Sequence, residues 1–296
     1  MKKNKFWIFF ILVILLSLSS QLLAQVNRML TLSPTAQEAS LGNQSLAFRN
    51  PARNLFNTDS TINLSFTRVD WLRNITDDMG YNHISAAWKD FTFSLLHFDY
   101  GAQNHTDDTG IILGSFRPST IVAYVGWGNE LKYKSNKIEN VAVGFGGKII
   151  NHILHTDKAN GYLFDAGIHV KQLWNIVDLD VMIKNWGFAP KLNNYITELP
   201  TSLNTGFSVP IKDWKFYNQW NFYKGYYTHG QGISYNYKNT IVGRLGYYND
   251  IEHELNYSSL GLSFIYDRYD IGVGYIIGGD IFPLSNTLQL TINLEI

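Results

Sequence analysis

The chain has no cysteine in its 296 residues, so no disulfide can hold it together. Charged residues make up only 16%, with 24 Lys plus Arg against 24 Asp plus Glu. That balance lacks the basic surplus a nucleic-acid partner requires. Proline is scarce, at 7 against 24 glycines. Long apolar runs are absent except for Phe6 to Leu16, which is shorter than the roughly 20 residues a spanning helix needs.

That single run has a defined context. Lys2, Lys3 and Lys5 precede it, and Ser-rich sequence ending in Leu22-Leu23-Ala24 follows. The order of basic, apolar and small residues predicts a secretory signal peptide over residues 1–24, cleaved after Ala24. Cleavage leaves 21 basic against 24 acidic side chains, a net charge near −3. Aromatic residues are abundant, at 15% with 18 Tyr, 18 Phe and 8 Trp. Such rings suit the interfacial girdles of a membrane protein.

From residue 61 to the end the sequence alternates. Leu288, Leu290, Ile292, Leu294 and Ile296 oppose Gln289, Thr291, Asn293 and Glu295. Phe164, Ala166, Ile168 and Val170 oppose Asp165, Gly167, His169 and Lys171, and Tyr269, Ile271 and Val273 oppose Asp270, Gly272 and Gly274. Period-two patterning of this kind predicts half-buried strands. A soluble two-sheet sandwich shares it, but connection lengths favour another fold. Short turns at Lys89-Asp90, Ile211 to Asp213, Lys238-Asn239 and Asp267-Arg268 alternate with long polar connections. The long ones include Gly101 to Gly110, Asn151 to Asn160, Gly187 to Thr201 and Gly225 to Gln231. The expected architecture is all-β, a transmembrane antiparallel up-and-down barrel of about 14 strands. Trp71, Trp88, Trp127, Trp174, Trp186 and Trp214 are expected at its girdles.

Residues 25–60 do not alternate. Pro34 to Ala39 and Pro51 to Leu55 have proline at first-turn helix positions. This segment is read as short helices too small to bury a core of their own, hence as a hatch or plug for the barrel of residues 61–296.

The motif search yields no catalytic constellation. Asp108-Thr109-Gly110 is a single triplet where acid proteolysis needs two carboxylates, and it reads as a turn. His152 and His155 point to opposite faces and lack a third ligand. No metal or cofactor is expected, and no enzymatic activity. The inward charges Asp165, Asp178, Asp180, Asp270, Lys148, Lys171, Lys184 and Arg244 have mixed signs. These suit a lumen whose groups pair with one another and with a plug better than a selective pore.

The run Leu30 to Ala36, then Ala39-Ser40-Leu41-Gly42, then Asn50-Pro51-Ala52, resembles the N-terminal signature of the PorV and PorQ proteins. These are relatives of the FadL-type transporters. Ser65 to Ile75, Phe98 to Gly101, Ile183 to Gly187 and Glu198 to Pro200 resemble further stretches in the same order, and the resemblance leans to PorQ. Asn43 stands where the family has a second glycine, and Ile296 replaces the common aromatic terminus.

The resemblance implies an outer-membrane barrel of 14 strands serving type IX secretion. Its expected partners are outer-membrane lipid and other secretion proteins or cargo C-terminal domains. The candidate partner loop, Gly187 to Thr201 with its flanking residues, carries Trp186, Phe188, Pro190, Tyr195 and Pro200, aromatic anchors on a segment stiffened by proline. The alternative is FadL-like passive uptake of hydrophobic small molecules, which needs a connected apolar pocket between hatch and wall.

Overall fold

A computed structural model describes residues 28–53, 62–72, 76–131, 138–192, 195–196, 198–252, 255–278 and 285–296. The expected signal peptide and residues 25–27 and 54–61 lie outside them.

Fourteen antiparallel strands close into a barrel. In chain order they are β1 (Ile62–Asp70), β2 (Gly80–Trp88), β3 (Phe91–Asp99), β6 (Ser119–Leu131), β7 (Asn140–Leu154), β8 (Asp157–Leu173), β9 (Val177–Phe188) and β12 (Ser202–Ile211). The remainder are β13 (Trp214–Phe222), β14 (Tyr227–Tyr237), β15 (Ile241–Asp250), β16 (Leu255–Tyr266), β17 (Tyr269–Ile277) and β18 (Thr287–Glu295). The numbers missing from this series belong to two small hairpins outside the wall. These are β4 (Gln103–Thr106) with β5 (Ile112–Phe116), and β10 (Lys191–Leu192) with β11 (Tyr195–Ile196). Closure sets β1 against β18, with Phe66 opposite Ile292 and Thr67 opposite Thr291. Every wall strand then has two neighbours and no edge is left to pair elsewhere.

The alternation separates the two faces as the sequence predicts. In β16, Leu260, Leu262 and Phe264 are exposed outward while Tyr257, Ser259 and Ser263 are buried inward. Phe93, Leu95, Ile149, Phe164, Ile271 and Leu290 continue that outward band around the wall. An exposed apolar belt on a closed barrel is what a hydrocarbon layer requires.

Three differences from the sequence reading have physical causes. Residues 151–160 are not a long loop: β7 and β8 run on to a turn at His155-Thr156, and the side chains of Asn151 and Asn160 bond across the ladder at 2.7 Å. Above an apolar belt a hairpin no longer needs apolar alternation, so its composition imitates a loop. The link between β13 and β14 covers only residues 223–226, shorter than the expected Gly225 to Gln231. Trp71 is no girdle residue, since it is only 8% exposed and packs inside the barrel against Tyr81. Trp88, Trp174, Trp186 and Trp214 are exposed, and Trp127 stacks on the exposed Phe145.

Candidate functional site

The hatch enters the barrel through a 3-10 turn at Arg28–Thr31 and two short helices, α1 (Ala36–Ala39) and α2 (Ser45–Arg49). Thr35 caps α1, its hydroxyl accepting from the Glu38 amide at 3.3 Å, and Pro34 precedes the cap. Helices this short leave most terminal amides unpaired. The wall supplies acceptors: Ala36 N donates to Thr291 Oγ1 at 2.9 Å and Leu46 N to Gln219 Oε1 at 2.8 Å.

The sequence motifs of the hatch mark where its backbone touches the wall. Gly42, with φ of 73°, lies so close to the wall that a Cβ on it would overlap the backbone of Tyr247 in β15 and Gln231 in β14, and a Cβ on Gly246 of β15 would overlap the backbone of Leu41 and Gly42. Leu41 abuts Gly232 of β14 in the same way. Asn43 also takes a left-handed φ of 61°, a conformation asparagine tolerates. Asn50 folds its side chain over Pro51 so that Oδ1 accepts from Ala52 N at 3.1 Å. Its amide nitrogen donates to Ile168 O at 3.0 Å and Asp180 Oδ1 at 2.9 Å. Pro51 and Ala52 lie against Gly128 of β6 and Gly144 of β7, where any side chain would collide with their backbone.

Asp180 gathers the far end of the hatch. Its Oδ1 accepts from Arg53 Nε at 2.9 Å and lies 3.0 Å from His169 Nδ1, all three side chains being buried or nearly so. Asp165 is held by Lys148 Nζ at 2.6 Å and by the Asn185 amide at 2.8 Å. Asp178 meets Ser208 and Lys215 at 3.3 and 3.5 Å, and Asp270 meets Asn293 and Gln37 at 3.2 and 3.4 Å. Arg244 donates to Ser263 at 2.7 Å. Lys171, by contrast, lies at the short-turn rim, exposed and paired with Glu139 at 2.7 Å. Lys184 is 5% exposed, with no ion-pair or hydrogen-bond partner among the described residues.

Hatch and wall meet at inward glycines of β6–β8, β12 and β14–β17. Strands β1–β3 carry none; the hatch packs on their ends at the rim of long connections but leaves space beside Asn63, Ser65, Ser85 and Ser94. A cavity of about 510 Å³ fills the gap. Its wall side is lined by small or polar residues, among them Asn63, Ser65, Ser85, Ala87, Thr92 and Ser94. Toward the rim of long connections it is capped by apolar side chains: Met29 and Leu30 pack with Val69, Trp71, Tyr81, Phe98, Val122, Ile150 and Leu163. Tyr81 anchors this cap by donating its hydroxyl to Ser33 O.

The candidate partner loop is distributed differently from the sequence reading. Trp186 and Phe188 belong to β9 and face outward from the wall, 65% and 73% exposed. Lys184 and Asn185 are both buried, a bulge that turns the following aromatics out. Pro190 is buried against Gly161, the Pro200 carbonyl accepts from Asn185 Nδ2 at 3.3 Å, and Tyr195 pairs with Leu192 in the small hairpin. Asp108 to Gly110 form the exposed tip of β4–β5. His152 points inward to Thr120 while His155 stacks on His105. Among the described residues no cluster of three acidic or imidazole groups could hold a metal.

Sequence reasoning missed Glu38, Arg49 and Arg53, which carry the hatch's charge, and Tyr124 and His83, which line the cavity. The spacing Thr35-x-x-Glu38 is a capping signal that could have flagged the first. Arg49 and Arg53 flank the Asn-Pro-Ala motif, but their partners lie more than 100 positions away in the case of Asp180.

No protein-family model matches the chain, and no curated protein matches it by sequence. Among solved structures it is similar to the Ralstonia pickettii toluene transporter TbuX, with a TM-score of 0.57 and 12% identity over 91% of this chain and 99% of that one. The deltaS2S3 mutant of the TodX monoaromatic hydrocarbon channel aligns with a TM-score of 0.50 and 12% identity over 88% of this chain and 97% of that one. The likeness is one of fold alone, that of a closed antiparallel β-barrel.

Proposed function

We propose that the chain is a non-enzymatic outer-membrane barrel that passes small, largely apolar molecules between hatch and wall. One observation carries this reading: the cavity of about 510 Å³ along β1–β3, capped by apolar side chains at one end. Its size suits a small-molecule site. The short-turn rim would face the periplasm and the capped rim the exterior, as in barrels of this class. A solute entering from outside meets Met29, Leu30 and Trp71 first, so an apolar surface is what it needs.

The test is uptake of the fluorescent hydrophobic probe 1-N-phenylnaphthylamine by Gram-negative cells with an intact lipopolysaccharide leaflet. Cells displaying the folded protein should take it up faster than cells displaying a barrel without a cavity. Equal rates would remove the reading.

A role in type IX secretion is the second reading, carried by the motif resemblance and by one surface. Ile111, Ile112 and Leu113 are 60–64% exposed at the end of the β4–β5 hairpin, clear of the wall. Consecutive aliphatic side chains in water suit a protein contact. Co-purification of secretion components that is lost when all three become Ser would support it. Recovery unaffected by that change would count against this surface.

A further inference from the structure

We infer that the outward side of β13 and β14 is a contact surface for a second copy of this chain, the two barrels meeting side by side in the membrane about a two-fold axis beside Asn218 and Gln231. The inference needs only the wall to lie in a membrane and is independent of what the barrel passes.

The first observation is a polar pair where the belt is otherwise apolar. Gln219 and Asn221 of β13 are buried inward, and Gln219 holds the hatch at the Leu46 amide. The alternate residues therefore face out, and they read Trp214, Phe216, Asn218, Trp220 and Phe222. Asn218 is the middle residue of the strand, about 13 Å along it from either end. Its cross-strand partner on β14 is Gln231, exposed on the same face. Midway along other strands the outward side chains are aliphatic or aromatic: Leu260 and Leu262 in β16, Ile271 and Val273 in β17, Phe93 and Leu95 in β3.

The second observation is unmet hydrogen-bonding capacity. Asn218 Oδ1 lies 3.3 Å from His229 Nε2, and the His229 ring stacks on Trp220 at 4.9 Å. Beyond that contact neither the Asn218 nor the Gln231 side chain has a hydrogen bond among the described residues. Hydrocarbon offers no partner, so amides held against acyl chains are costly. A protein surface with donors and acceptors at the same depth removes that cost.

The chemistry of the patch fits a copy of itself. Each carboxamide both donates and accepts, and no lysine, arginine or carboxylate stands among these outward residues to repel its like. Two chains inserted in the same direction are related by an axis along the membrane normal, which preserves depth. Asn218 and Gln231 then meet amides at their own level, and an isologous contact of this kind closes at two copies. In the ladder Phe207 stands beside Asn218 and Tyr247 beside Gln231. With Phe216 and Trp220 they surround the amides with rings that pack across the contact and keep lipid out.

The chain's lack of cysteine lets position be read by cross-linking. Full-length protein carrying Phe216→Cys, Ile233→Cys or, on β3 at the opposite side of the wall, Leu95→Cys is produced in the outer membrane of Gram-negative cells and oxidised with copper phenanthroline. Heat-shifted gel migration serves as the folding control. F216C and I233C should give a covalent dimer, and L95C should not. Adding Asn218→Leu and Gln231→Leu to F216C should lower the cross-linked fraction at least about fivefold, as loss of hydrogen bonds between membrane segments implies. If that triple variant fails to fold, F216C with either leucine alone gives the same readout. No dimer from F216C and I233C, equal yield from L95C, an adduct with a different protein in place of the dimer, or a yield untouched by the leucines overturns the inference.

Discussion

Arg53 and Asp180 are joined across the barrel interior, with the guanidinium Nε donating to the carboxylate at 2.9 Å. The residues stand 127 positions apart, one at the end of the hatch and the other near the start of β9. Burial pushes the Arg53 guanidinium down, but the Asp180 charge, its hydrogen bond and the nearby Asp178 charge together outweigh burial and raise the net value. Removing one partner of a buried ion pair costs about 3–5 kcal/mol, whereas replacing both with apolar groups costs far less. D180A should therefore lower the urea midpoint for unfolding from lipid vesicles more than the double variant Arg53→Met, Asp180→Met does. Equal loss in the two would show that the pair contributes nothing as a pair.

The glycine contacts predict a second outcome. A side chain at Gly144 or Gly246 collides with hatch backbone, at Ala52 and Gly42 respectively. Backbone has less freedom to move aside than a flexible side chain, and overpacking of this kind costs about 1–3 kcal/mol. G144V and G246V should displace the hatch while the wall closes as before. Single-channel conductance in planar bilayers should rise from near zero, and a protease site placed in the hatch should become cleavable. Valine at Gly243, where a Cβ meets nothing within 4 Å, is the control.

Much of this fold is legible in the sequence because a barrel wall is a local pattern. Each strand declares its two faces by period two, so Leu288 to Ile296 can be read without knowing its neighbours. The hatch is different. Its residues gain meaning only from glycines and carboxylates elsewhere in the chain, so Asn50-Pro51-Ala52 can be seen as a motif but not as a seat on Asp180 and Gly144. The cavity is less legible still, because it depends on how far the hatch reaches across the lumen, which no strand's own pattern records. Trp71 departs from the girdle expectation because it continues the inward parity of Thr67 and Val69 past the end of β1, so its ring lies inside the wall.

The outward belt gives a depth-dependent prediction. Leu262 sits near the middle of β16 and Tyr266 at its short-turn end, both exposed outward. An arginine facing lipid costs about 2–4 kcal/mol at the bilayer midplane and close to 0–1 near the interface. Folding free energies measured in vesicles should drop accordingly for Leu262→Arg and hardly change for Tyr266→Arg. If the two substitutions cost the same, the exposed face does not contact hydrocarbon and the membrane reading of the wall fails.

Asp78 links two connections at the rim of long loops. Its carboxylate accepts from the Thr76 hydroxyl and the Ala102 amide, both at 2.6 Å, and lies 3.6 Å from Arg117. The Thr76 hydroxyl first, then the Ala102 amide and the Arg117 charge, hold its pKa below the ordinary 3.8. A carboxyl depressed in the folded state contributes stability that is fully present above 3.8 and is lost as pH falls through the lower folded value. Hydrogen exchange at the Ala102 amide should therefore stay slow at neutral pH and at pH 5, then quicken relative to strand amides only below the usual carboxylate range. Asp78→Ala should exchange quickly at every pH. Protection at Ala102 that falls between pH 7 and 5 would mean that a histidine, not this carboxylate, controls the rim.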